Sequence, residues 1–173
     1  MKNHLIAIAL CGFGAAQATT LYNFSYEYST GTLSGQLQGT LQGDNNTILV
    51  DSVLDFVKFN GTPGVSLPLV SSVTNLFGGS APSIVSLNGI GLDFFACETI
   101  CGDRIAFGGP IAYIPTAFVY LGASFGDSGG IRPYDPTKWH ISAVPEPTSF
   151  ALMGLGLAGL AWRQRRRPPA AMA

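Results

Sequence analysis

A serine between small residues is the first feature of this sequence that could do chemistry. Residues 126–130 read GDSGG, so that Ser128 follows Asp127 and precedes two glycines. A serine hydroxyl becomes a strong nucleophile when a histidine takes its proton and a carboxylate orients that histidine. The question is whether the rest of the chain supplies these partners.

The GDSGG string resembles the one around the nucleophilic serine of chymotrypsin-like proteases, where histidine and aspartate precede the serine. The only earlier histidine is His4, in an N-terminal segment that is interpreted below as a signal peptide. His140 follows the serine, which is the wrong order, and the remaining domain is too short for two barrels. We therefore interpret GDSGG as a polar turn. We predict no catalytic residue and no cofactor.

Two cysteines, Cys97 and Cys101, form a possible disulfide. Outside the cytoplasm such a pair is more often bridged than free. In an extended strand the two would lie about 13 Å apart, too far for a disulfide, so the segment between them must turn if the bond forms. No metal site is predicted, because His140 is the only histidine left for a zinc site and a second cysteine pair is missing.

Two further sets of oxygen ligands have alternative interpretations. Asp51 and Asp55 would share one face of a regular strand, where paired carboxylates could act as in a glycosidase. We favour a solvated face flanked by valines. Residues 44–46, Asp-Asn-Asn, could offer oxygens to calcium but lack the EF-hand pattern, so a plain turn is favoured.

The elements that must position these residues are predicted to be β-strands. Aromatic residues alternate with polar ones over residues 22–28. Leucine and glycine alternate with polar residues over 32–43, as in one half-buried strand or two strands joined by a bend at a glycine. A third strand region at 47–60 ends with Asn60-Gly61 turn chemistry. The aromatic stripe is more often one side of a core than a platform for sugars. Short apolar runs between turn signals follow, without a long amphipathic helix. Residues 19–143 are therefore predicted to form an all-β domain, an antiparallel β-sandwich or a jelly-roll-like domain.

The charge of this domain argues against nucleic-acid binding. Four lysines and arginines stand against nine aspartates and glutamates between residues 19 and 143, a net charge of −5. A protein that binds nucleic acid needs a basic face for the phosphates. The chain's other basic residues lie near its two ends and need a different explanation.

The first 18 residues have the order of a secretory signal peptide. Lys2 gives a positive start, residues 5–15 are an apolar run too short to span a bilayer, and Ala16 and Ala18 form a small-x-small cleavage site. The sequence therefore predicts export, with removal of residues 1–18.

The C-terminal region has three parts in a fixed order. First comes a Val-Pro-Glu-Pro string, formed by Val144, Pro145, Glu146 and Pro147. An uncharged apolar run of 14 residues, 149–162, follows and would reach about 21 Å as a helix, short for a bilayer core of about 30 Å. A basic cluster closes it, made of Arg163, Arg165, Arg166 and Arg167. Snorkelling arginines and local thinning can absorb the mismatch, so we predict a transmembrane helix with the arginines on the cytoplasmic side.

This order resembles the PEP-CTERM sorting signal of Gram-negative bacteria. The resemblance covers residues 144–167 and implies recognition of Pro145, Glu146 and Pro147 by an exosortase, a membrane-embedded processing enzyme. It also implies that the protein is anchored in the inner membrane before processing, with the arginines as the cytoplasmic end of the anchor. After processing, the protein would be at the cell surface or outside the cell. Residues 168–173 would form a short cytoplasmic tail.

The sequence thus predicts an exported surface or extracellular-matrix protein without catalysis of its own. Proteins with such tails tend to occur in bacteria that make exopolysaccharide and biofilm matrix, which makes exopolysaccharide a possible partner. The alternative is a secreted module that binds a glycan or another ligand.

Overall fold

The computed structural model describes residues 19–111, 114–125, 130–145 and 153–158. In these ranges the chain forms strands, one short helix α1 (Val73–Leu76) and two 3-10 turns, Ala123–Phe125 and Pro136–Lys138. The strands are β1 (Thr20–Tyr28), β2 (Gly31–Leu41), β3 (Thr47–Phe59), β4 (Thr62–Ser66), β5 (Leu69–Ser71), β6 (Ile84–Ser86), β7 (Asp93–Cys97), β8 (Arg104–Gly108), β9 (Phe118–Leu121), β10 (Ile131–Pro133) and β11 (Trp139–Ala143). The predicted signal peptide lies outside these ranges.

All the strands belong to one antiparallel sheet. Its order is β10-β9-β8-β7-β6-β3-β2-β1-β11, with β4 added to β3 and β5 added to β7. The all-β, antiparallel prediction is therefore confirmed. The expectation of a sandwich or jelly roll with two sheets differs from the structure, in which a single sheet coils into a half-barrel and its two halves share one core. Twist and β-bulges allow one sheet to curl in this way.

Aromatic rings fill the core between the two halves of the sheet. Phe24 of β1 meets Phe94 of β7 at a ring distance of 6.4 Å, and Tyr26 meets Phe107 of β8 at 5.3 Å. Trp139 of β11 stacks on Phe24 at 5.7 Å. The aromatic stripe of β1 is therefore one side of the core, as predicted, and its burial drives the closure of the sheet.

The first hairpin follows the predicted alternation. Leu33 and Leu37 of β2 are fully buried, and the polar residues between them face outward. Gly35, on the leucine face, pairs with Phe24, whose ring occupies the space that a side chain at Gly35 would need. Glycine at this position lets the aromatic ring of β1 lie flat across β2.

Two irregularities in the pairing of β3 with β2 turn its aspartates away from the core. In a regular strand Asp51 and Asp55 would lie on the same face as Val53 and Val57, which are buried. The register shifts once near Asp51 and again around Asp55, whose φ is +54°. Both carboxylates are exposed as a result. The predicted solvated position of both is correct, but the regular strand behind that prediction is not.

The predicted turns are present. Asn60 and Gly61 both have positive φ and join β3 to β4, as an Asn-Gly hairpin turn requires. In the loop before β3 the carboxylate of Asp44 accepts hydrogen bonds from the Thr47 amide at 2.8 Å and from its hydroxyl at 2.6 Å. These bonds hold the pKa of Asp44 below its usual value. The Asp44 carboxylate thus holds the turn together from within, as aspartate commonly does in turns.

Candidate functional site

The last strand of the domain leads directly into the Val-Pro-Glu-Pro string. Strand β11 starts at Trp139, whose side chain is buried and whose indole N–H donates to the Ser86 carbonyl at 3.0 Å. It pairs with β1 up to Ala143, which lies opposite Tyr22. The Val144 amide then donates to the Leu21 carbonyl at 2.8 Å, which extends the ladder by one more residue.

Part of the predicted sorting region is described by the structure. Val144 is half-buried and Pro145 is exposed, whereas Glu146, Pro147 and the four arginines lie outside the described ranges. Residues 153–158, within the predicted apolar anchor, are helical, and Met153, Leu155 and Leu157 in them are exposed. Among the described residues, no helix has both the length and the apolar character needed to cross a bilayer.

Comparison with known families settles what this region is. Residues 143–167 match the family model of the PEP-CTERM protein-sorting motif. The predicted resemblance is therefore confirmed, over nearly the same residues. The PEP-CTERM motif marks the chain for export and for membrane-associated processing by an exosortase-type enzyme. The full chain has no significant match among curated proteins or among solved structures.

The residues considered for nucleophilic catalysis are not brought together in the described part of the chain. Ser128 lies outside that part. His140 is on the outer face of β11, 61% exposed, with its Nε2 4.0 Å from Oε1 of Glu27. An exposed histidine beside an exposed carboxylate is a weak surface pair.

Cys97 and Cys101 are joined by a disulfide, with their Cα atoms 4.9 Å apart. Cys97 ends β7, and the chain turns back at Cys101, which has a positive φ. The Cys101 amide donates to the Glu98 carbonyl at 2.9 Å, so the segment is the turn that the spacing of the cysteines demands. The disulfide cross-links the connection between β7 and β8, so neither of these two cysteines has a free thiol.

A polar groove crosses the outer face of β1, β2, β3 and β11, and of its features only the polar face of β2 could be predicted from the sequence. Its volume is about 610 Å³, and most of its polar lining comes from Asn23, Ser25, Ser34, Gln36, Lys58, His140 and Ser142. The Gln36 side-chain amide donates to Oδ1 of Asn23 at 2.8 Å, which fixes the orientation of both amides. The groove therefore offers hydroxyl and amide groups with both donors and acceptors.

The irregular part of β3 forms one wall of this polar groove. Asp55 and Phe56, which is 54% exposed, both line it. A β-bulge can re-aim side chains in this way. Asp51 is not part of the lining, so the groove does not bring the two aspartates together. The alternating serines and glutamines of β2 predict a polar face. The groove itself could not be predicted, because it is shaped by the bulge and by the pairing of β11 with β1, which depend on residues far apart in the sequence.

Proposed function

We propose that this chain is an exported bacterial surface or extracellular-matrix protein whose β-domain is delivered by its PEP-CTERM motif and has no catalysis of its own. The observation that carries the proposal is the position of the motif, which starts at the last residue of β11. Residues 1–18 act as the signal peptide, and residues 149–162 with the following arginines hold the precursor in the inner membrane. An exosortase-type enzyme then processes it.

The test of this proposal replaces Pro145, Glu146 and Pro147 by alanine in the full chain, followed by cell fractionation and immunoblotting. We expect the variant to remain as an unprocessed membrane-bound precursor. The matched control replaces Pro168 and Pro169, which lie beyond the motif, and should be processed normally. Wild-type processing and location of the motif variant would refute the sorting proposal.

The absence of catalysis is also open to test. A serine hydrolase with Ser128 as its nucleophile would react with a fluorophosphonate probe, because such probes require an activated serine. We expect no labelling of the purified protein. Labelling that disappears in Ser128→Ala would assign catalysis to this serine and contradict this part of the proposal.

We propose as a second candidate function that the β-domain binds a neutral glycan, with exopolysaccharide as the source. The polar groove favours it, because fixed amides and hydroxyls beside an exposed aromatic ring suit the hydroxyl groups and apolar faces of sugars. The net charge of the domain, −5, disfavours an anionic ligand.

Binding of the full-length protein to neutral and acidic polysaccharides tests this second function. We expect retention on a neutral glycan that falls by up to about tenfold in Gln36→Ala, because loss of one hydrogen bond costs about 0.5–1.5 kcal/mol. Gln38→Ala is the matched control, since Gln38 lies on the same strand and face but outside the groove lining. Equal loss in both variants, or no binding at all, would exclude the groove as a glycan site.

A further inference from the structure

The sorting motif begins where the folded domain ends, without a spacer. Ala143 is at once the last residue of β11 and the first residue of the family match. Val144 is still tied to Leu21 through its amide, and Pro145 is the next residue. An enzyme that takes up the motif must therefore work directly against the end of the β1–β11 ladder.

Strand β11 is held unequally along its length. At its start, Trp139 is 4% exposed and is fixed by stacking on Phe24 and by its hydrogen bond to Ser86. At its other end, which we call the strand end (residues 142–144), the side chains of Ser142 and Ala143 are exposed and Val144 is half-buried. Attachment to β1 there is mainly through the backbone ladder.

The strand end also lies at the margin of the sheet. In the described part of the chain β11 has β1 as its only partner strand. Segments with little buried apolar surface and exposed backbone hydrogen bonds open locally at low free-energy cost. The strand end can therefore separate from β1 while Trp139 keeps the rest of β11 in place.

The short connection to the membrane makes such an opening useful. Four residues, 145–148, lie between Val144 and the apolar run that starts at Ser149. Fully extended, four residues reach about 14 Å at most. A single helix with its side chains is about 10–12 Å thick. When β11 is fully paired with β1, the space between the domain and the bilayer is thus little wider than one helix. Release of the three residues of the strand end lengthens the connection by about 10 Å.

We propose that the strand end separates from β1 when the exosortase-type enzyme takes up the PEP-CTERM motif, and that this opening is a step of recognition. The inference rests on the proposed sorting function. It adds the requirement that the end of β11 in this chain must be able to separate from β1 before the enzyme can act on it. The motif is then connected to the folded domain by a free segment that starts at residue 142 and not at Pro145, which gives the enzyme the reach it needs.

A disulfide across the strand end tests the proposal in the full chain. Asn23 lies opposite Ser142 in the ladder, both side chains are exposed on the outer face, and opposed residues in antiparallel strands lie within disulfide reach. Asn23→Cys combined with Ser142→Cys therefore locks the strand end. We expect pulse-chase processing of the oxidised variant to slow about tenfold or more, and reduction with dithiothreitol to restore it. Wild-type protein treated with dithiothreitol controls for loss of the native disulfide.

Two further variants make the result specific. Gln38→Cys with Ser52→Cys places an equivalent bridge between β2 and β3, where the residues are also paired, and should leave processing at the wild-type rate. A flexible spacer of about eight Gly and Ser residues between Val144 and Pro145, added to the locked variant, should restore processing because it supplies the missing reach.

The outcomes separate this inference from the proposed function. Normal processing of the oxidised locked variant would overturn the opening step, while the alanine replacement of the motif would still report on sorting. Failure of the spacer to rescue the locked variant would also overturn it, because the lock would then act by some route other than reach. If the variant with Pro145, Glu146 and Pro147 replaced by alanine is processed normally, the proposed sorting function is itself refuted, and the opening step is refuted with it.

Discussion

Phe24 of β1 lies directly opposite Gly35 of β2, and a Cβ atom at Gly35 would come within 2.9 Å of the phenylalanine ring. The contact explains the glycine at position 35, because a side chain there would take the space of a ring that builds the core.

Gly35→Ala is therefore expected to destabilise the domain. The new methyl group must displace a buried ring that is itself stacked on Trp139, and overpacking of this kind costs about 1–3 kcal/mol. Urea unfolding followed by circular dichroism measures the change. Gly43→Ala is the control, because a Cβ there meets no atom within 4 Å, and it should alter the free energy of unfolding by less than about 0.5 kcal/mol. Equal effects at the two positions would contradict the steric account.

The backbone of Asp55 gives a second prediction. Its φ of +54° lies in the left-handed region, which glycine adopts freely and β-branched residues avoid. Asp55→Gly should leave the free energy of unfolding unchanged or raise it by up to about 1 kcal/mol, whereas Asp55→Val should lower it by about 1–2 kcal/mol. If valine is tolerated as well as glycine in urea unfolding, the bulge does not hold this conformation in solution.

Two core tyrosines predict how stability responds to alkaline pH. Burial raises the pKa of Tyr134, with the charges of Tyr26 and Asp135 adding to the effect, and burial also raises the pKa of Tyr26. Tyrosines of the unfolded chain ionise near pH 10, whereas burial moves the ionisation of these two to higher pH in the folded chain. Above about pH 10 the unfolded state therefore binds fewer protons, and stability falls as pH rises.

Unfolding midpoints in urea between about pH 8 and pH 11 measure this dependence. Tyr134→Phe should lower stability at pH 8, because the Tyr134 hydroxyl donates to the Gly89 carbonyl at 2.8 Å, yet it should flatten the fall above pH 10. The slope distinguishes ionisation from simple loss of a hydrogen bond. An unchanged slope in this variant would mean that Tyr134 does not contribute to the pH dependence.

The features of this fold that can be predicted from the sequence are the local ones. The aromatic alternation of β1 and the Asn60-Gly61 turn are local patterns with one dominant structural meaning, so both were predicted. The position of Asp55 depends on how β3 pairs with β2, and its place in the groove depends on the bulge that this pairing creates. A sequence read along one strand carries no information on these long-range pairings. The coiling of the sheet into a half-barrel, where a two-sheet sandwich was expected, is long-range for the same reason.

Trp139 is the residue through which the start of β11 is fixed to the opposite half of the sheet. Its indole packs on Phe24 and Phe107, and its N–H donates to the Ser86 carbonyl. Trp139→Phe removes this hydrogen bond and leaves a cavity the size of the lost ring, so we expect the free energy of unfolding to fall by about 2–4 kcal/mol in urea. Ile100→Ala, at a position 85% exposed, should change it by less than about 0.5 kcal/mol. A loss below about 1 kcal/mol for Trp139→Phe would show that β11 is held by its backbone ladder alone, because a buried anchor of this size cannot be truncated at so small a cost.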